Sequence, residues 1–119
     1  MSHREYQRQA VETAGPAQLI TMLYDGALAA IGLAESAIID LRHADAHTQL
    51  VKAQDIVAEL WSCLDMERGG SVAVSLATLY EFCHHCLVEA NLAKSTPPLK
   101  GVAQVLSELR GAWSSLEAS

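Results

Sequence analysis

The chain has 119 residues, half of them hydrophobic and 18% charged, with a formal net charge of −6 at pH 7. That length supports one domain with a proper core, and the composition excludes a disordered chain. The acidic balance argues against a nucleic-acid partner, which needs a basic surface to neutralise phosphate, and against docking on anionic lipid.

Residues 1–15 are polar but contain Tyr6 and Val11, the pattern of an arm or short helix lying on a larger body. The opening MSHREYQRQ is polar where a secretion signal would be apolar. With the three cysteines read as reduced thiols, this predicts a cytoplasmic protein.

Gly15-Pro16 opens a first helix expected over about 16–43, with Pro16 at the position where a missing N–H is harmless. At 100° per residue, Leu19, Leu23, Gly26, Ala30, Ala34, Ala37 and Leu41 form one stripe, assigned to the core. Ile20, Tyr24, Ala27, Ile31 and Ile38 form a second on its flank. Together the stripes cover roughly 200° of arc, against about 100° or slightly more for a surface helix. The extra arc is covered by the arm, by a homodimer partner, or by an amphipathic helix from another protein. Charge-free windows of about a dozen residues, broken by Asp25 and Glu35, are shorter than the roughly 20 residues of a membrane span, so no membrane insertion is expected.

A second helix is expected over about 46–67, with Asp45 as its cap and Leu50, Ala53, Val57, Leu60 and Leu64 inward. Gly69-Gly70 ends it. Ser71 then caps a third helix, about 71–93, whose stripe is Val72, Leu76, Leu79, Cys83, Cys86 and Ala90. After Thr96-Pro97-Pro98 a fourth, about 97–116, repeats Leu99, Val102, Leu106, Leu109, Trp113 and Leu116. No segment alternates with period 2. Long helices and short loops predict an all-α, antiparallel up-down four-helix bundle with a short N-terminal arm or helix.

Chemistry is sparse. Cys83-His84-His85-Cys86 resembles a metal-ligand cluster, and Cys63 could approach it across the core. Structural zinc sites draw four converging ligands, usually from loops, whereas Cys83 and Cys86 occupy core positions where cysteine packs as a small hydrophobe. No metal or cofactor is expected; elemental analysis would expose a metal-binding bundle. The carboxylates Asp65 and Glu67 have no partner base, and no phosphate loop, nucleophile elbow or zinc-protease motif occurs, so an enzyme is not expected.

Specific blocks nevertheless stand out. Tyr6, Val11, Thr13-Ala14 and Pro16 lead into Leu19-Ile20 and M-L-Y-D-G-A at 22–27. Lys52-Ala53-Gln54-Asp55-Ile56 and Glu59-Leu60 precede Leu64-Asp65-Met66-Glu67-Arg68-Gly69-Gly70, then Leu76, Leu79-Tyr80, Leu87-Val88-Glu89-Ala90-Asn91, Glu108-Leu109-Arg110 and Trp113. In this order, across nearly the whole chain, they resemble the flagellin-export chaperones of the FliS family.

The resemblance implies a cytosolic, non-enzymatic bundle that holds the disordered C-terminal segment of flagellin, about one per chaperone, as helices in hydrophobic grooves. It implies that premature filament assembly is blocked and that the subunit is kept ready for the flagellar export apparatus. A monomer or weak homodimer is expected; a self-associating or adaptor bundle binding a different amphipathic helix is the alternative. The candidate partner-binding residues are Tyr6 on the arm, Ile20, Tyr24, Asp25, Ala27 and Ile31 on the first helix, and Ile56, Leu60 and Tyr80 from its neighbours. Gly26 is expected to permit close helix approach, and residues 1–15 to shield part of the second stripe until flagellin arrives. The chain departs from the family pattern at Gly15, usually serine, at Gln9 for an asparagine, and at His85-Cys86 for a basic pair. Trp61 stands where Met or Leu is frequent, enlarging a groove wall or filling the core.

Overall fold

The computed structural model describes residues 16–118. They form four helices: α1 Pro16–Ile39, α2 His43–Ser62, α3 Met66–Ala93 and α4 Pro97–Ala118. No strand occurs among the described residues. Each helix packs on its neighbours in the chain and α4 closes back on α1, giving a ring of four. Pairs across the ring fix the directions. Asp25 in the first half of α1 meets Arg110 in the second half of α4, and His47 at the start of α2 meets Asn91 at the end of α3. Adjacent helices are therefore antiparallel, as the loop lengths predict.

The helix ends differ from the sequence reading for identifiable reasons. α1 stops at Ile39, short of His43, because Leu41 turns into the left-handed region at φ 60°. The Arg42 N–H then reaches back to the Ala37 carbonyl at 2.8 Å, a Schellman-type ending. Arg42, not Asp45, precedes α2, and Asp45 sits in the first turn, paired with Arg42 at 3.0 Å. α2 ends at Ser62, where Cys63 and Leu64 fold their N–H groups onto the last-turn carbonyls.

Asp65 then caps α3, accepting the Arg68 N–H at 3.1 Å, so this helix starts five residues before Ser71. Gly69-Gly70 is consequently a kink within α3. Gly70 holds φ 52°, ψ −130°, a conformation closed to residues with a side chain. A Cβ on Gly69 would lie 2.6 Å from that of Ala73.

The core of α1 draws on both stripes: Ala30, Ala34 and Ala37 of the first are buried as expected, and the flanking stripe is buried with them from Tyr24 to Ile38. Tyr24, Ala27, Ala30, Ile31, Ala34, Ala37 and Ile38 are buried, whereas Leu19 and Leu23 are only partly covered and Leu41 is 77% exposed. Small alanines, with Ala46 and Ala53 opposite on α2, let the backbones close together; a Cβ on Gly26 would lie 3.3 Å from Cδ1 of Ile56. Leu50, Val57, Leu60, Cys83, Cys86, Ala90, Leu99, Val102 and Leu106 are buried as their spacing predicts. Tyr80 and Leu87 join them, while Val72 turns outward. By length and composition both α1 and α3 are apolar enough to cross a membrane, Asp25 and Glu35 notwithstanding. In α1 the core accounts for part of this apolarity, since 39% of its apolar window is buried, while Leu33 and Ile39 stay exposed.

Candidate functional site

The site begins with two tyrosines. Tyr24 from α1 and Tyr80 from α3 meet in the core, their hydroxyls 2.5 Å apart. Burial raises both above the ordinary tyrosine value, so the pair is neutral, and each hydroxyl has the other as its partner. A buried hydroxyl without a partner costs about 1–3 kcal/mol, so this bond fixes how α1 and α3 sit against each other. Cys83 lies beside the pair, its thiol pushed up to about 11 by burial.

Above this floor the described residues leave a cleft at the end of the bundle. This cleft, of about 260 Å³, lies between the start of α1, the end of α2, the kinked start of α3 and the end of α4. Ile20, Leu60, Leu64, Val72, Leu76 and Trp113 form most of its wall, with Tyr80 below and Asp65 at its edge. The α3 kink shapes this cleft, since Gly69 and Ala73 also line it. A second cleft, about 580 Å³, runs between α1 and α2, walled by Pro16, Leu19, Ile20, Met22, Leu23, Cys63 and Glu59. Ile20 and Cys63 belong to both, so the two form one apolar track that turns around the end of the bundle.

The candidate residues divide accordingly. Ile20 lines both clefts, and Leu60 and Tyr80 form the floor of the end cleft although both are buried. Tyr24 and Ala27 are 0% exposed and Ile31 2%, so these three do not line a groove; they are the core that a groove rests on. Ile56 is half-buried against Gly26. Asp25 is held at 2.9 Å by Arg110 and ties α1 to α4. Tyr6 and the rest of the arm lie outside the described residues.

Met22, Leu19, Leu23, Leu64, Leu76 and Trp113 are the track residues that periodicity assigned to the core or left aside. Met22 lies outside both α1 stripes, and the others share stripes with core residues but lie toward the end of the bundle where the two clefts are. Cys63 is exposed in the track while Cys83 and Cys86 are buried, so the three do not converge; among the described residues no three metal-ligating side chains gather. Trp61 is 38% exposed and lines neither cleft.

An apolar track on a helical bundle suits the capture of an amphipathic segment. The family model described as flagellar protein FliS matches residues 1–119. The flagellar secretion chaperone FliS of Bacillus subtilis is 35% identical over 108 residues, 91% of this chain and 80% of that protein. That of Salmonella typhimurium is 36% identical over 108 residues, 87% of this chain and 78% of the relative. FliSB of Pseudomonas aeruginosa is 33% identical over 114 residues, 92% and 90% of the two chains. From the motifs, the four-helix ring and these matches, the chain belongs to the FliS family of flagellar proteins, whose relatives named here are secretion chaperones.

Proposed function

We propose that the protein is a cytoplasmic export chaperone that binds the C-terminal segment of flagellin, disordered when free, along the track formed by the two clefts. The observation that supports this reading is the continuity of the track: Ile20 and Cys63 join two apolar clefts on a chain whose net charge is −6. Ordering a disordered segment costs entropy, and a long apolar contact is what offsets it. The chaperone thereby covers surface that flagellin uses in the filament, prevents premature polymerisation, and hands the subunit to the export apparatus. The mechanism is binding, with no chemical step. The protein acts as a monomer or weak homodimer.

Calorimetric titration with the C-terminal segment of the same organism's flagellin tests the reading. The expected result is binding near one to one with a clearly negative heat-capacity change, the mark of apolar burial. Absence of binding between two competent proteins would remove flagellin as the client. Concentration-dependent sedimentation of the chaperone alone would then favour a self-associating bundle.

A further inference from the structure

The α1/α2 cleft carries one charge on its wall, and its placement is locally unfavourable. Glu59 lies in the last turn of α2, where the helix dipole opposes an anion and where no basic residue is present. Asp55 lies one turn earlier on the same face, a like-charge pair at i,i+4 that further disfavours the helix. Neither has an ion-pair partner among the described residues. The arginines there are engaged elsewhere: Arg42 with Asp40 and Asp45, Arg68 with Asp65, and Arg110 with Asp25. Asp65, at the edge of the other cleft, already caps α3. Lys52, one turn before Asp55, makes no ion pair with it, so among the described residues both carboxylates stand without a paired cation, one of them beside an apolar cleft.

We propose that the α1/α2 cleft selects an apolar helical segment bearing a lysine or arginine, which Glu59, reinforced by Asp55, pairs with at the cleft wall. This rests on the reading of the track as a segment-binding surface and adds the charge of the segment. Apolar contacts with Leu19, Met22 and Leu23 supply affinity, and the carboxylates set orientation and encounter rate, as charges at an interface rim do.

The test uses the full chain and two synthetic helical peptides with the same leucine-alanine face, one flanked by lysines and one by glutamates. Binding is followed by fluorescence anisotropy at about 20 and about 200 mM salt, between which screening rises steeply. The wild type is expected to prefer the lysine peptide roughly tenfold at low salt, with the preference shrinking at high salt. Glu59→Gln should weaken the lysine peptide roughly threefold, and Glu59→Lys should erase or invert the preference. Both variants should melt no lower than the wild type, because each relieves an unfavourable end charge. Equal binding of the two peptides by the wild type, binding of neither, or an unchanged preference in Glu59→Lys would overturn the proposal. Failure to bind the flagellin segment while the lysine peptide binds would remove the client and leave the cleft's preference standing.

Discussion

Leu41 terminates α1 with φ at 60°, a conformation that costs an L-residue roughly 1–2 kcal/mol and that glycine adopts freely. Its side chain is 77% exposed, so little packing compensates. Leu41→Gly is therefore expected to stabilise the protein by about 0.5–1 kcal/mol, after allowing for glycine's larger entropy loss on folding. Urea unfolding checks this, and an unchanged or lower midpoint would show that the leucine side chain makes contacts worth the strain. Lys94 ends α3 in the same conformation, φ 49°, but with compensation. Its ammonium donates to the Asn91 carbonyl at 2.6 Å and to Asn91 Oδ1 at 2.7 Å. That leaves the Asn91 amide to donate to Nδ1 of His47 at 3.0 Å, tying α3 to the start of α2. Lys94→Gly would relieve the backbone and lose this chain of bonds, so the stabilisation seen at Leu41 is not expected there. Nothing in the spacing of apolar residues announces either position; a helix ending on leucine or lysine is visible only in the backbone.

At the scale of the helix, periodicity identified the elements and misplaced their ends and one of their faces. Stripes in α2 and α4 have clear polar flanks, and Leu50, Val57, Leu99, Val102 and Leu106 were legible as core. In α1 nearly every side is apolar, so period alone could not rank the stripes. Which members of each face inward is decided by the tyrosine pair and the alanines, through contacts distant in sequence. Two substitutions separate the faces. Met22→Asp, half-buried in the α1/α2 cleft, should leave the fold intact and weaken segment binding by roughly 10- to 100-fold, the loss of one large apolar contact. Ile31→Asp places a charge at a 2% exposed site and should unfold the bundle. Circular dichroism and titration together distinguish the two, and a folded Ile31→Asp with lost binding would restore the other stripe as the groove.

The Gly69-Gly70 pair belongs to the same scale. Read as a helix stop, it is in fact the hinge that carries the first turn of α3 over the end cleft. Gly70→Ala forces a side chain into φ 52°, ψ −130°, a strain of about 1–3 kcal/mol. Its thermal midpoint is expected to fall and its affinity for the segment with it, since relaxing the kink moves Gly69 and Ala73, which line the cleft. A lowered midpoint with unchanged affinity would separate the kink from the site.

For the whole molecule, the family and the bundle were legible in the residues, but of the site only Ile20, Leu60 and Tyr80 were, because an apolar residue at a helix end looks like one at its middle. The core also holds titratable groups that periodicity treats as plain hydrophobes, and these give the fold an alkaline limit. Cys83 is 0% exposed and its thiol rises from 9.0 to about 11. Its native value lies above its unfolded one, so between pH 9 and 11 the native state keeps a proton that the unfolded chain has released. Stability is full below that window and falls through it, by about 3 kcal/mol for a shift of this size. Tyr24 and Tyr80 are raised from 10.0 by burial and add to the decline above that pH. Urea unfolding at a series of pH values from neutral to alkaline should show stability dropping from about pH 9 upward. Cys83→Ala starts lower, because it leaves a small void, but should be flatter between pH 9 and 10, where the thiol acts before the tyrosines. Parallel curves for the two proteins would show that the Cys83 thiol is not the source of the alkaline loss, and would leave it to Cys86, which burial also raises, and the Tyr24–Tyr80 pair.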